Sequence, residues 1–382
     1  MLGPGNQLEK ESASEGRCEL LQRASELVPV LQHRALETER LRRLPRETVD
    51  DLIASRLIRL GVPATFGGIG PDYDVAYDVG VELGRGCGAA AWCYSLYAVH
   101  AWMVGHFPER GQRECFADGP DVLCASSFAA MNVQADERSD GLRIRGRWEF
   151  SSGSDAANWV LLGVGAPGVL ALVPRSDFQV IDTWQASGLC GSGSNDIVVD
   201  DAFVPKHRML DINRAGVDDW IGWELHQQLT YRLPLRVLLA WDLVAPLIGM
   251  AQSAVEAFTH RAATRGGTSQ SDVVLLRLAE ASAEVDAART LMRHRVSWAL
   301  DKASHGEAFS DLERASNQRD RAFIVRLCVQ AVNRLFEVSG GHALFLSEPL
   351  QRAHRDVQAA SHRAGLMLEM VGPNYGRVAL GG

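Results

Sequence analysis

The chain has 382 residues, with 39 Lys and Arg against 47 Asp and Glu, a formal charge of −8. That length corresponds to roughly two or three domains of ordinary size. An acidic balance with no long basic run excludes nucleic acid as the main partner, because phosphate binding needs clustered Lys and Arg. With 46% hydrophobic and 23% charged residues, wholesale disorder is excluded too.

Cys18, Cys87, Cys93, Cys115, Cys124, Cys190 and Cys328 are scattered, and none forms a Cys-x-x-Cys pair. Met1 to Ser12 is polar where a signal peptide would be apolar. The longest apolar stretch, Trp159 to Val173, is broken by Gly163, Gly165, Pro167 and Gly168 and is too short to span a bilayer. These features predict a reduced, cytoplasmic protein with no membrane partner.

In chain order, Cys18–Arg43 and Glu47–Leu60 carry apolar residues at helical spacing, with Gly61 as the expected C-cap of the second. A loop through Gly67-Gly68 follows. Gly84–Phe107 then reads as a buried helix. From about 121 the period shortens. Val122–Met131, Leu142–Phe150, Trp159–Val164, Val169–Val173, Phe178–Trp184 and Asn195–Val204 are β-rich and punctuated by turn residues. They predict a small antiparallel barrel or sandwich.

Leu233–Thr264, Asp272–Ser304, Asp311–Val338 and Pro349–Met370 are four long helical segments with short connections, the pattern of an antiparallel bundle. Pro246 predicts a kink or break in the first. Ser310-Asp311-Leu312-Glu313 fits a capping box, Gly340-Gly341 a C-cap, and Ser347-Glu348-Pro349 a helix start. The chain thus divides into 1–120, 121–208 and 209–382: an α+β protein of helices, a small β-barrel and a four-helix bundle.

Gly163-Val164-Gly165-Ala166-Pro167-Gly168 matches the dinucleotide fingerprint, but a strand follows it where the pyrophosphate needs a helix N-terminus. The reading is a hairpin turn. His354 and His362 lie about two helical turns apart, and no third ligand has a supporting pattern, so no metal is assigned.

Helices, a small β region and a four-helix bundle, in that order, resemble the acyl-CoA dehydrogenase fold. Local residues agree: Leu60-Gly61-Val62-Pro63 through Gly67-Gly68, Trp148-Glu149-Phe150-Ser151-Ser152-Gly153 with Asn158-Trp159-Val160, and Gly340-Gly341 before Pro349–Asp356. The segment Arg355-Asp356-Val357-Gln358-Ala359-Ala360-Ser361-His362 resembles the Arg-Asp-x-x-Ala-x-x-His stretch of two-component flavin-dependent monooxygenases. Acyl-CoA dehydrogenases usually carry a glutamate base shortly after that Arg-Asp, in a Tyr-Glu-Gly context; here Tyr375-Gly376-Arg377 has none and Glu369 sits in another setting.

The resemblance implies a flavin C4a-hydroperoxide, shielded from water, that hydroxylates an aromatic or polycyclic small molecule. Ser126 and Ser127 on one β segment, and Phe150, Ser151 and Ser152 on another, line the isoalloxazine by that resemblance. Singly, such serines cap backbone; in this order they fit the flavin, with Ser126 also among the catalytic candidates. His362 is the implied base for a phenol or enol proton. Trp92 and His100, eight apart with Leu96 between, share a helix face and match a Trp and His near the flavin and substrate of related phenol hydroxylases. Asp356 anchors its helix, and Trp102 and His106 are structural.

Gly340 and Gly341 match positions from which a neighbouring subunit helps enclose the cofactor. The dehydrogenases' Arg-x-Phe-Gly-like stretch for the FAD tail is replaced by Arg265-Gly266-Gly267-Thr268-Ser269, which leaves FADH2 and FMNH2 both open. The expected partners are a separate NAD(P)H-dependent flavin reductase, an aromatic substrate and further copies of the chain in a homotetramer. Three alternatives stand beside this: an amine, amino-sugar or sulfur oxygenase on the same scaffold, an acyl-CoA dehydrogenase with a relocated base, and a non-enzymatic scaffold.

Overall fold

The computed structural model describes residues 5–165, 168–265 and 270–381. Helix α1 (Gly5–Leu41) leads into α2 (Arg46–Ala54), which stops short of the expected end at Leu60. A 3-10 turn, Leu57–Gly61, takes up the rest. Gly61 is therefore not the helix cap that its place in the sequence predicts. A Cβ at Gly61 would stand 1.7 Å from Ala98 O, so the glycine is there to let two backbones touch.

Helix α3 (Tyr73–Gly86) is N-capped by Asp72, whose carboxylate accepts from Val75 N at 3.4 Å. Helix α4 (Gly88–Val104) follows after a single extended residue, Cys87 at φ −153°. The expected Gly84–Phe107 helix is thus two. The break falls where α1 crosses, since a Cβ at Gly86 would meet Leu31 Cβ at 2.8 Å and Val28 O at 2.9 Å. Helix α5 (Glu109–Cys115) completes this part.

Eight strands come next: β1 (Cys124–Ser127), β2 (Ala129–Arg138), β3 (Gly141–Ser151), β4 (Trp159–Gly163), β5 (Val169–Pro174), β6 (Gln179–Ile181), β7 (Asn195–Pro205) and β8 (Met209–Asp211). They form two four-stranded sheets, ordered β1-β4-β5-β8 and β2-β3-β7-β6. The expected antiparallel β-barrel is corrected on two counts. The sheets are separate, and β1 pairs parallel with β4. The cause is topological: after β1 the chain leaves for a hairpin in the other sheet and returns in its original direction. Gly163 pairs with Leu170 and Val164 N bonds to Val169 O, so the glycine-rich stretch is a hairpin connection as expected. Ala166 and Pro167 within it lie outside the described residues.

After the sheets come α6 (Ile221–His226), α7 (Leu235–Leu238), α8 (Trp241–Arg265), α9 (Asp272–His305), α10 (Asp311–Glu337), α11 (Pro349–Ser361) and α12 (Leu368–Ala379). The break expected at Pro246 falls instead at Ala240, held at φ 78°, and α8 runs on through the proline. The capping box forms, with Glu313 Oε2 accepting from Ser310 N at 2.8 Å and Ser310 Oγ from Glu313 N at 3.3 Å. The predicted Pro349–Met370 helix is two, because the His362 ring takes the Gln358 carbonyl and ends α11 there. The stretch Arg265–Ser269, weighed for a flavin tail, lies outside the described residues from 266 to 269.

Helix α8 packs on α3, α4, α9, α10 and α11, so helices from both ends of the chain share one apolar core. By length and composition Leu235–Thr264 could cross a membrane, but the apolar 18-residue window within it is 78% buried inside the protein. A second core lies between the sheets around Trp148, Ile144, Leu162 and Ile197. Gly61→Ala is expected to destabilise the protein by roughly 1–3 kcal/mol, as overpacking does. Gly16→Ala, on α1 with nothing within 4 Å of the added methyl, should stabilise by up to about 1 kcal/mol. Urea unfolding of the two variants checks the contrast.

Candidate active site

Helix α4 is fixed to the sheets by three hydrogen bonds along one side. Trp92 Nε1 donates to Ser152 Oγ at 3.1 Å, Tyr97 OH to Gly153 O at 2.7 Å, and His100 Nδ1 to Cys124 O at 2.8 Å. Tyr97 and His100, three residues apart, share one face, and the long Trp92 side chain reaches the same β region from the turn before. The helix therefore holds the end of β3 and the start of β1 at the same wall. Trp92 and Ser152, each assigned to the flavin by resemblance, are brought into contact, and Tyr97 joins them unforeseen.

The turn after β3 is the strained element. Phe150 has φ 62°, the left-handed region that bulky residues avoid, and the residue is 58% exposed. The ring edge rests on Trp184, with centroids 6.3 Å apart. Ser151 and Ser152 are buried behind it, and Gly153 at φ 70° has Tyr97 OH where a Cβ would be, 2.4 Å away. Gly153 N donates to Ser192 O at 2.7 Å, and Ser152 Oγ lies 2.7 Å from Ser194 Oγ. On β1, Ser126 is half-buried, whereas Ser127 is turned away and gives its hydroxyl to Glu149 O.

His100 is wholly enclosed, and burial pushes its pKa down to about 4, with the Arg363 charge adding to the effect. A carbonyl only accepts, so the ring nitrogen facing Cys124 O carries the proton and Nε2 is left as an acceptor. His362 stands exposed just past α11, and its Nδ1 donates to Gln358 O at 2.7 Å, again leaving Nε2 free. It lines a cleft of about 180 Å³ with Val325, Val329 and Leu366. The two histidines share no direct bond. The charge of Arg363, next in sequence to His362, is felt by His100 and by Asp242 on α8.

Asp356 anchors α11, as expected. Its Oδ1 accepts from Leu189 N at 2.6 Å, and its Oδ2 lies at the first turn of α4, 3.0 Å from where a Gly88 Cβ would be. Arg355 Nη1 donates to Ser187 O at 2.7 Å. Burial drives the Asp356 carboxyl up to about 6, against the Leu189 amide and Arg355. Gly340 and Gly341 lie apart from this wall, on the exposed turn between α10 and α11, with open space in front of both. His354 is structural: it stacks on Phe336 at 4.4 Å and bonds to Asn333.

Tyr97, Ser192, Ser194 and Leu189 were missed in the sequence. The Gly191-Ser192-Gly193-Ser194 run was the available signal, because such a segment supplies hydroxyls on a tightly turning backbone. The wall fits a reduced flavin. It offers the half-buried Ser126 hydroxyl, Ser152 at its surface and the exposed Phe150 side chain, small donors beside an aromatic face that a planar polar ring can lie against.

A mixed helical and sheet fold with this order of elements is that of the acyl-CoA dehydrogenase-like flavoproteins. The family described as acyl-CoA dehydrogenase, C-terminal domain, matches residues 242–366. The chain is 33% identical over 353 residues to the flavin-dependent monooxygenase oxygenase subunit HsaA of Rhodococcus jostii, covering 89% of this chain and 92% of that protein. It is 31% identical to the oxygenase component of the FADH2-dependent resorcinol hydroxylase of a Rhizobium species, over 95% and 94% of the two chains. Among solved structures, XiaF from a Streptomyces species in complex with FADH2 superposes with a TM-score of 0.89 at 27% identity, over 97% of each chain. The chain belongs to the flavin-dependent monooxygenases of this fold, oxygenase components that use reduced flavin and O2.

The Asp356 carboxyl sits above its ordinary value of 3.8, so the fold favours the protonated form. Below about pH 4 folded and unfolded chains both hold this proton; between about pH 4 and 6 only the fold does. Stability is therefore expected to fall as pH rises through that window, by about 3 kcal/mol for this group. Asp242, also raised to about 6 by burial, adds a similar slope. Asp356→Asn keeps an oxygen for Leu189 and should remove about half of the loss. Urea unfolding at about pH 4.5, 5.5 and 6.5 measures it, and an unchanged slope in the variant would contradict the assignment.

Proposed function

We propose that the chain hydroxylates an aromatic or polycyclic small molecule with reduced flavin delivered by a separate NAD(P)H-dependent flavin reductase. The flavin, when bound, activates O2 and supplies the oxygen atom. Trp92, Ser126, Ser151, Ser152 and Phe150 are the residues of this chain that would hold it. Ser127, whose hydroxyl is already engaged, would contribute through its backbone. The observation that carries the reading is the pair of imidazoles, each fixed with Nδ1–H on a carbonyl and with no partner for Nε2 among the described residues.

In that tautomer His362 takes the proton of a substrate hydroxyl and makes the ring carbon ortho or para to it more nucleophilic. His100, kept neutral by burial, holds the substrate oxygen together with the half-buried Ser126 hydroxyl. The enclosing wall of α4 and β1 excludes water from the reacting atoms.

On this reading the chain works as one unit of three parts, 1–120, 121–208 and 209–382, assembled as a homotetramer in the cytoplasm. The segment after Gly340-Gly341 supports the assembly: Leu344, Phe345 and Leu346 are 68%, 58% and 66% exposed, an apolar run that a second copy would cover. The seven free cysteines suit a reducing compartment.

Purified chain mixed with chemically reduced flavin, air and a panel of phenols is expected to give hydroxylated product with no reductase present. His362→Asn should lower product formation by roughly 10²-fold or more, as loss of a general base does, with O2 consumption diverted to hydrogen peroxide. Product formation equal to the parent's would remove His362 from the chemistry.

A further inference from the structure

Three buried hydroxyls run in line behind the turn at Phe150. Ser192 Oγ lies 2.7 Å from Ser194 Oγ, and Ser194 Oγ lies 2.7 Å from Ser152 Oγ. The Trp92 indole N–H, 3.1 Å away, closes the row at the Ser152 end. Ser192, Ser194 and Ser152 are 1%, 6% and 8% exposed, so exposure rises toward the flavin wall.

Counting protons orders the row. An indole N–H only donates, so Ser152 Oγ accepts from Trp92. The two Oγ–Oγ contacts use two of the three hydroxyl protons and leave one over. If the row ran from Ser152 to Ser192, the spare O–H would sit on Ser192, the most enclosed of the three and without a further acceptor among the described residues. If both ends donated inward, the spare would sit on Ser194, which is also buried. An unpaired buried donor is costly. Only the order Ser192 to Ser194 to Ser152 puts the spare proton at the wall, where a bound cofactor or water can take it.

We infer that Ser194, backed by Ser192, is a positioning residue that turns the Ser152 O–H outward as a fixed donor to the flavin. The inference rests on the placement of reduced flavin against Ser152 proposed above. Ser194 touches neither cofactor nor substrate. It acts by removing the rotational freedom of the Ser152 hydroxyl before the flavin arrives, which is the preorganisation that makes a hydrogen bond effective in a water-poor site. The row explains why the Gly191–Ser194 segment carries both of its serines inward.

The test is an anaerobic titration of the full chain with reduced FAD and reduced FMN, read by quenching of tryptophan fluorescence, for Ser152→Ala, Ser194→Ala and the double variant. Ser152→Ala is expected to weaken binding by roughly threefold to tenfold, the loss of one hydrogen bond. Ser194→Ala should weaken it by a similar factor in the parent and have no further effect on top of Ser152→Ala, because it works through that hydroxyl. Ser194→Thr, which keeps the hydroxyl, should restore affinity. Unchanged affinity in Ser152→Ala would overturn the placement of the flavin itself. A loss in Ser152→Ala with none in Ser194→Ala, or a Ser194→Ala effect that simply adds to that of Ser152→Ala, would overturn the row while leaving the placement standing.

Discussion

The contact on which the rest of the structure depends is that of the Asp356 carboxylate with the amide of Leu189. It joins three segments far apart in sequence: helix α11, the loop between β6 and β7, and the first turn of α4. A buried carboxylate is costly unless hydrogen bonds and favourable dipoles offset it. Here one oxygen has an amide and the other faces the N-terminus of a helix, where peptide dipoles favour negative charge, and these offset burial only in part, leaving the carboxyl at about 6. The approach is close enough that Gly188 admits no side chain, since a Cβ would stand 2.0 Å from Arg355 O. Arg355 ties the same loop through Ser187 O, so adjacent residues of one motif grip a single loop.

From that grip the order passes to the reacting wall. Leu189, held at φ 49°, starts a short turn, Cys190–Ser192, that presents Ser192 O to Gly153 N. Trp184 Nε1 donates to Leu189 O at 2.9 Å, which steadies the ring on which Phe150 rests. Residues 150–153 are thus supported from behind by the loop and from the side by α4. The left-handed Phe150 persists because its neighbours over-determine it, the condition under which backbone strain survives in a fold. The Arg355-Asp356 motif thus supports residues 150–153, the proposed flavin wall, at a distance, by fixing the loop they lean on.

How much of this was legible follows from the range of each signal. Caps and turns are local, so the box at Ser310–Glu313 and the Pro349 start are where the pattern puts them. The break at Cys87 was hidden, because the reason for it is α1 crossing at Gly86, a contact between residues more than fifty apart. The parallel β1–β4 pairing was hidden for the same kind of reason: strand patterning gives the period but not which strand comes alongside. Trp92 and His100 were singled out from spacing and likeness to known motifs, and both tie α4 to the β region. Tyr97 escaped because a tyrosine in an apolar helix has the same pattern as one in a core. Gly61 was assigned a cap from its position after a helical run, when its need is the closeness of Ala98.

The two histidines are suited to different tasks by their surroundings. His100 is enclosed, and a pKa near 4 keeps it neutral throughout the physiological range, so it can hold a substrate oxygen but cannot store a proton. His362 lies at the end of α11 in contact with solvent, so a proton that it takes can leave to water. A site that must exclude water around the flavin yet dispose of a substrate proton needs both environments at once. Ending α11 at Ser361, with the His362 ring folded back onto Gln358 O, supplies the second environment. In the proposed reading, the helix break that the sequence did not reveal gives His362 its route to solvent. Had the helix run on to Met370, His362 would have spent its length as one more residue of the helix face, without the turn that now brings Arg363 toward His100 and Asp242.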